Sequence, residues 1–255
     1  MSHLDAARVA LVGVAAFLAG AVNAVAGGGT LLSFPALLLL GFPALTANVT
    51  NTVGLLPGYA GGSIAYRAEL AVQRERMLLL GSISVVGALA GAILLTRTSN
   101  AVFATVVPWL ILLSCALLLM QPVVTARVRS RRPAGEQHRS PLLAVAQFFG
   151  GVYGAFFGAG LGVMTLAVLG LFIRDDLQRI NALKGMMALI INVVAAVYFA
   201  LFGPVSWLAA LVMLPASAAG GFAGVALARR LHPAVLRVVV VAFGVAFALR
   251  QLLAG

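Results

Sequence analysis

The chain has 255 residues, of which 62% are hydrophobic and only 9% are charged, and its mean hydropathy is +1.10. Soluble globular domains carry about 25% charged residues, so this composition excludes an ordinary soluble domain and predicts an all-α polytopic membrane protein. The net charge of +11 does not indicate nucleic-acid binding, because the arginines lie between apolar segments, as the positive-inside rule describes. The single cysteine, Cys115, excludes an intrachain disulfide and a dithiol redox centre.

Apolar segments follow one another along the whole chain. Eight of them reach the roughly 17–25 residues that cross a bilayer: 5–26, 45–66, 77–96, 101–120, 141–157, 177–202, 207–228 and 234–253. Two are too short, 31–40 and 161–173, and each follows a glycine cluster. The first segment also resembles a secretory signal, with Arg8 ahead of an apolar run and small residues after it. A similar pattern recurs in mid-chain, where no signal peptidase acts, so we interpret it as a membrane helix.

A basic stretch separates two halves of similar layout. We expect residues 1–120 to form a first transmembrane repeat, residues 121–140 a flexible linker, and residues 141–255 a second transmembrane repeat. Five arginines lie in the linker, and their density places it in the cytoplasm. Binding of anionic lipid or nucleic acid by this run is the alternative; we expect no nucleic-acid partner.

The two halves are related by an offset of about 130 residues, since GAVNAVAGGG at 20–29 resembles GGVYGAFFGAG at 150–160. If the short segments count as crossings, each half crosses five times, both termini face outside, and nearly all arginines face the cytoplasm. If they are re-entrant loops, the arginines from 174 to 237 move outside, which fits the positive-inside rule less well. The charges therefore favour two inverted repeats, the symmetry that many transporters carry.

Charged groups are almost absent from the apolar segments. All six acidic residues and all three histidines lie at segment ends or in loops, which leaves no metal site, acid–base pair or proton relay in the membrane. We therefore expect no cofactor, no metal and no enzymatic activity. Lys184 is the exception, about two turns into segment 177–202. A lysine at the bilayer centre costs about 2.5–3.5 kcal/mol, so it either offers its charge to an anion or snorkels to the cytoplasmic interface.

The glycine clusters predict helices that break within the membrane. Irregular backbone is tolerated there only against protein or a water-filled cavity, and a short helix after the break directs its free N–H groups and positive dipole end at the break. Such a site suits an oxyanion, although glycines also serve for close helix packing and polar side chains for bonds between helices. The candidate substrate-binding residues are Asn23, Gly27, Gly28, Gly29, Thr30, Asn48, Thr50, Asn51, Tyr153, Gly158, Gly160, Asn181 and Lys184.

Motifs in both halves carry a resemblance to a known family. The residues concerned are 20–29, Pro35, Gly41 and 47–51 in the first half, and 150–160, 181–184, 220–224 and 236–237 in the second. They resemble the signature of the TauE/SafE sulfite exporter family. The resemblance implies a transporter, usually an exporter, of sulfur-containing anions such as sulfite or an organosulfonate. The second copy has Ala159 between its glycines and Lys184 where the first has Asn51, so we expect an asymmetric site with the anion nearer the second half.

These observations predict a multi-pass secondary transporter of the cell (inner) membrane, with both termini outside and a small oxyanion bound at the midplane between the two breaks. Because no acid is buried, we expect facilitated efflux or protonation of the substrate itself, and no carboxylate proton relay. A transporter of another small anion, or an accessory subunit that binds a partner without transporting, are the alternatives. The expected partners are the small anionic substrate and the lipid bilayer; a homodimer is left open.

Overall fold

The computed structural model describes residues 5–25, 28–59, 66–130, 140–227 and 233–254, and the regular elements in these ranges are α-helices. In chain order they are α1 (Ala6–Val25), α2 (Thr30–Leu39), α3 (Ala44–Gly54), α4 (Arg67–Ala71), α5 (Arg74–Arg97), α6 (Asn100–Ser130), α7 (Pro141–Phe156), α8 (Leu161–Phe172), α9 (Leu177–Phe202), α10 (Trp207–Leu227) and α11 (Pro233–Ala254). The prediction of an all-α protein is confirmed for these residues.

Six of the described helices are long and apolar enough to cross a membrane, namely α1, α5, α6, α9, α10 and α11. Two segments predicted as full spans are shorter: α3 has 11 residues and α7 has 16. Helix α3 ends at a turn at Leu55, and the predicted span 45–66 continues into residues outside the described ranges. Helix α7 ends where the backbone turns into the left-handed region at Gly158. The predicted eight full spans are therefore not reached among the described residues.

Local signals at the helix ends explain several boundaries. The Asp176 carboxylate accepts a hydrogen bond from the Gln178 N–H at 2.8 Å and so caps α9, while Pro141 occupies the first turn of α7, where its missing N–H costs nothing. Helix α6 runs on to Ser130 with Pro122 inside it. The predicted flexible linker 121–140 is therefore helical over its first ten residues, because α6 continues past its apolar stretch; residues 131–139 lie outside the described ranges.

Small residues let α1 lie directly on α10, in the most extensive helix contact of the described chain. The two helices run in the same direction, since Gly13 faces Val212 and Ala21 faces Gly224. A β-carbon at Gly224 would lie 2.6 Å from the Ala21 Cα. A larger residue would therefore separate the backbones, which is the usual reason for glycine between membrane helices.

The same arrangement recurs between α5 and α7. Gln147 Nε2 donates to Ser84 Oγ at 2.8 Å, and seven residues further along α5 Gly91 lies against the Val152 carbonyl, so these helices also run in parallel. Helix α1 of the first half thus pairs with α10 of the second, and α7 of the second half pairs with α5 of the first. Two further contacts have equivalents in this sense. Helix α2 of the first half packs on α11 of the second, as α8 of the second packs on α6 of the first. Likewise α3 packs on α10, as α9 packs on α5.

Apolar side chains form both the interior and the exterior. One buried cluster surrounds α2, α3 and the middle of α6, and a second joins the ends of α7, α8 and α9 around Leu143, Leu169 and Leu183. Large apolar side chains also face outward, including Leu201 at 70% exposure and Phe202 at 68%. A soluble surface would not carry so many. The exterior suits lipid, and the protein is a multi-pass membrane protein.

Candidate functional site

The first break lies between α1 and α2. Gly28 has φ +89°, a conformation that side chains with a β-carbon rarely adopt, and Gly29 begins α2 as its cap residue. The Asn23 side chain spans the break, because its Oδ1 accepts a hydrogen bond from the Gly29 N–H at 2.7 Å. Gly27, which the sequence also places in the site, lies outside the described residues.

Buried polar side chains surround this first break. Asn23 Nδ2 is buried and has no acceptor in the described part of the chain. The Tyr59 hydroxyl lies beside the side chains of Asn23 and Thr30, and Thr30 is only 5% exposed. Tyr59 was not predicted from sequence, because a tyrosine next to glycines carries no local signal of a site. The first break thus holds one donor, Asn23 Nδ2, without an acceptor among the described residues.

The second break, between α7 and α8, repeats this design. Gly158 and Gly160 have φ of +75° and +76°. The Tyr153 hydroxyl donates to the Ala159 carbonyl at 2.6 Å. Asn23 and Tyr153 are related by the 130-residue offset, and each bonds to the backbone six residues further on. Both predicted side chains therefore brace their own break.

Backbone donors are left free at the start of α8. Leu161 N–H bonds to the Gly158 carbonyl, and Val163 N–H bonds to that of Gly160. Within the described residues, the N–H groups of Ala159, Gly160 and Gly162 have no acceptor, as expected at a helix N-terminus. These groups and the positive end of the α8 dipole make the break attractive to an anion.

Helix α6 brings the two breaks together. A β-carbon on Gly28 would lie 3.1 Å from the Leu118 side chain, and one on Gly160 would lie 3.4 Å from Leu117. Both breaks therefore lie against one turn of α6. Ser114, in the preceding turn, lies 2.9 Å from both the Tyr153 hydroxyl and the Ala159 carbonyl oxygen. Sequence reasoning missed Ser114, although a hydroxyl inside an apolar run was a usable signal.

Helix α3 links the first half to the second break. Asn51 Oδ1 accepts from the Ser33 hydroxyl of α2 at 2.5 Å. One turn earlier on the same face, Asn48 Nδ2 donates to the Phe156 carbonyl at 2.9 Å. Phe34 of α2 packs edge-on against Phe157 with ring centroids 5.4 Å apart. Polar side chains thus connect the two breaks through α3.

Not every predicted residue belongs to this group. Thr50 is fully buried, and its Oγ1 accepts the Ser206 N–H at 2.9 Å, so it fixes the start of α10 against α3. Asn181 and Lys184 are half-buried on α9. Their neighbour Leu183 packs in the second apolar cluster, near the end of α8 that lies away from the break. Lys184 has no hydrogen-bond or ion-pair partner among the described residues.

A polar contact between the halves lies away from the breaks, where α8 ends and α9 begins. Arg76 Nη1 pairs with Asp175 Oδ2 at 2.6 Å, with both side chains nearly buried, and Arg179 approaches the second carboxylate oxygen at 3.4 Å. Gln73 Nε2 adds a bond to the Arg179 carbonyl at 3.1 Å. Burial raises the pKa of Asp175, but the Asp176 N–H and the two guanidinium groups outweigh burial and lower that pKa below its ordinary value.

Comparison with known proteins identifies relatives along almost the whole chain. Residues 12–250 match the family model described as Sulfite exporter TauE/SafE. The chain is 27% identical over 254 residues to "Probable membrane transporter protein ORF9" of Sinorhizobium sp, covering 99% of this chain and 95% of that protein. It is 28% identical over 215 residues to a "Probable membrane transporter protein" of Haemophilus influenzae, covering 82% and 80%. It is 27% identical over 216 residues to "Probable membrane transporter protein YfcA" of Escherichia coli K12, covering 85% and 77%. No solved structure matches the chain.

Proposed function

Since the chain belongs to the TauE/SafE sulfite exporter family, and is thus a membrane transporter, we propose that it exports a small sulfur-containing oxyanion such as sulfite or an organosulfonate. The observation that carries the proposal is the meeting of two glycine breaks on one turn of α6, where the N–H groups of Ala159, Gly160 and Gly162 have no acceptor in the described structure. Oxyanions of sulfur present several acceptor oxygens, and helix N-termini supply donors for them without a buried charge.

The transport mechanism is rocking of two inverted repeats around this site. Helix directions support this proposal. Helix α1 runs parallel to α10, and α7 runs parallel to α5. Each pair joins the first segment of one half to the fourth segment of the other half, as a two-fold axis between inverted repeats requires. The buried Thr30, Asn48 and Asn51, each at most 5% exposed, fit a state in which the site is closed.

The cytoplasmic face is proposed at the Asp175 end. Arg76, Asp175 and Arg179 meet there, and a groove of about 490 Å³ between α5 and α7 is lined there by Glu75 and Ser140. Ser140 ends the basic linker, so the linker and these arginines share one face. The positive-inside rule assigns this face to the cytoplasm and both termini to the outside.

Lys184 has the role of an attracting charge on the cytoplasmic approach. It lies about 10 Å along α9 from the first residue, at 1.5 Å per residue, whereas the second break follows the 16 residues of α7. An anion from the cytoplasm therefore meets Lys184 before it reaches Gly160. The group for anion binding at the break itself comprises Asn23, Gly28, Gly29, Thr30, Asn48, Asn51, Tyr153, Gly158 and Gly160, with Gly27 beside them in sequence.

Anion efflux from proteoliposomes tests the proposal. Vesicles that contain the purified protein and vesicles without protein are loaded with sulfite, sulfoacetate, sulfolactate or sulfate, and the efflux of the anion is compared. We expect efflux of at least one sulfur anion, reduced roughly 10- to 100-fold by Lys184→Ala, since a charge-assisted contact contributes about 1.5–3 kcal/mol. Lys184→Arg keeps the charge and should retain most of the flux.

A second variant pair tests the break. Gly28→Leu should abolish flux, whereas Gly41→Leu should not. Gly41 is the matched control because it also has positive φ, +87°, but faces open space. Unchanged flux in both Lys184→Ala and Gly28→Leu would remove the proposed site. Wild-type protein that moves none of the anions would favour an accessory subunit, and preference for a sulfur-free anion would reject the substrate class.

A further inference from the structure

Asn48 carries an oxygen that the described part of the protein does not use. The residue is 1% exposed, its Nδ2 donates to the Phe156 carbonyl, and its Oδ1 is buried without a donor among the described residues. Turning the amide over would set Oδ1 against the Phe156 oxygen, so the hydrogen bond fixes its orientation. A buried acceptor without a partner is costly and calls for an explanation.

The surroundings of Asn48 are rich in other acceptors. Phe156 is the last residue of α7, at the negative end of that helix dipole. The N–H groups of Phe157 and Gly158 both bond to the Tyr153 carbonyl. The carbonyls that follow Tyr153 in the last turn of α7 therefore lack their usual helical donors in the described structure. The negative pole of the second break thus combines these carbonyls with Asn48 Oδ1.

The complementary ligand is a cation. Neutral amide and carbonyl oxygens do not bind protons near pH 7, and divalent cations prefer carboxylates, whereas in the described spans the acidic residues lie only at the ends. A monovalent metal ion fits this neutral oxygen set, as in transporters whose broken helices coordinate Na⁺. The following inference rests on the proposed function. We propose that Asn48 Oδ1 and the last carbonyls of α7 bind Na⁺, and that the bound ion assists anion binding at α8.

Both ions then occupy one break. Na⁺ lies at the negative end of α7, and the anion lies at the N–H groups of Ala159 and Gly160 that begin α8. Each ion lowers the electrostatic cost of the other, so Na⁺ raises the affinity for the anion and the anion raises the affinity for Na⁺. Export then proceeds only where the outward anion gradient exceeds the opposing Na⁺ gradient.

Thermal unfolding of the purified protein without any anion substrate tests the Na⁺ site. NaCl is titrated against choline chloride and KCl at constant ionic strength. We expect a saturable rise of the midpoint with Na⁺ for wild type, lost in Asn48→Ala. Asn192→Ala is the matched control, because Asn192 is also a buried asparagine, but its amide bonds to Ala188 in its own helix at 2.8 Å; it should keep the Na⁺ effect.

Flux provides a second readout. Replacing choline by Na⁺ on both sides of the vesicle should increase anion flux at limiting anion concentration roughly fivefold or more in wild type, within the usual range of coupling. Equal midpoints and equal flux in Na⁺ and choline would overturn the Na⁺ site while leaving the transport proposal intact. A Na⁺ effect on the midpoint without any anion flux would instead reject the transport proposal.

Asn48→Asp provides a second variant of the site. It keeps Oδ1 as an acceptor but replaces the Nδ2 donor to the Phe156 carbonyl by a second, negatively charged oxygen. Bound Na⁺ offsets that charge, so Na⁺ should raise the midpoint more than in wild type, and K⁺ or choline should still fail to substitute. A Na⁺ effect that persists unchanged in Asn48→Ala would show that the ion binds elsewhere and would overturn the assignment. The wild-type measurement decides the ion, and the variants decide the site.

Discussion

The ion pair between Arg76 and Asp175 provides the sharpest prediction about stability. It joins the start of α5 in the first half to the loop before α9 in the second, with a distance of 2.6 Å between Nη1 and Oδ2. Asp175→Asn removes the charge and keeps the shape of the side chain. We expect this variant to fold but to unfold at a lower temperature, because the Arg76 guanidinium is left nearly buried without its counter-ion.

The magnitude follows from the burial of the pair. Breaking one partner of a fully buried ion pair costs about 3–5 kcal/mol, and an exposed pair contributes about 0–1 kcal/mol. The two side chains keep 13% and 12% exposure, which places the expected loss between these limits, at about 2 kcal/mol. For a chain of this size, about 2–4 °C per kcal/mol converts the loss to a fall in midpoint of about 4–8 °C.

A double-mutant cycle in detergent measures the pair itself. Asp175→Asn, Arg76→Gln and the double variant are compared by thermal unfolding, and the coupling energy should be roughly 1–2 kcal/mol. Arg174→Gln is the control, since this neighbouring arginine is exposed, and it should change the midpoint little. A coupling energy near zero, or equal losses in the control and Asp175→Asn, would refute the reasoning.

Three further predictions concern pH and the second break. The stability difference between wild type and Asp175→Asn should be present above about pH 4 and vanish as the pH falls through the lowered pKa of Asp175 in the folded state, because the folded protein stabilises only the ionised carboxylate. Unfolding midpoints between pH 3 and pH 8 measure this difference, and a difference that widened in acid would contradict the prediction. Gly158→Ala should lower the free energy of unfolding by about 1–2 kcal/mol from the positive φ of this residue alone. Gly162→Ala is the control, because Gly162 is helical and faces open space, and it should leave stability unchanged or slightly raised. Equal unfolding midpoints for the two variants would argue against the left-handed turn. Tyr153→Phe removes the bond to the Ala159 carbonyl and should lower stability by about 0.5–1.5 kcal/mol and lower anion flux more than Asn192→Ala does; full flux would show that the brace is dispensable for transport.

Much of the fold was predictable because its signals are local. Apolar run length sets where a membrane helix begins and ends, so the predicted segment 177–202 coincides with α9 and the short segments coincide closely with α2 and α8. Glycine clusters likewise predicted the breaks, since only glycine readily adopts the positive φ seen at Gly28, Gly158 and Gly160. The same local signals failed in two places. For 45–66, hydropathy did not distinguish a short polar helix from a full membrane span, and for 121–130 it did not distinguish a helix extended by polar residues from a flexible linker.

The sequence by itself determined an all-α membrane protein with two broken helices and an internal repeat, because these properties depend on composition, spacing and glycine conformation. Only the tertiary structure decided which polar residues meet. Asn48 reaches Phe156 across 108 positions, Ser114 joins the second break, and Thr50 is occupied by Ser206. Such partners depend on how helices from opposite halves pack, and no local pattern encodes that packing. The breaks were therefore visible in the sequence, but the surroundings that give the second break a positive and a negative pole were not.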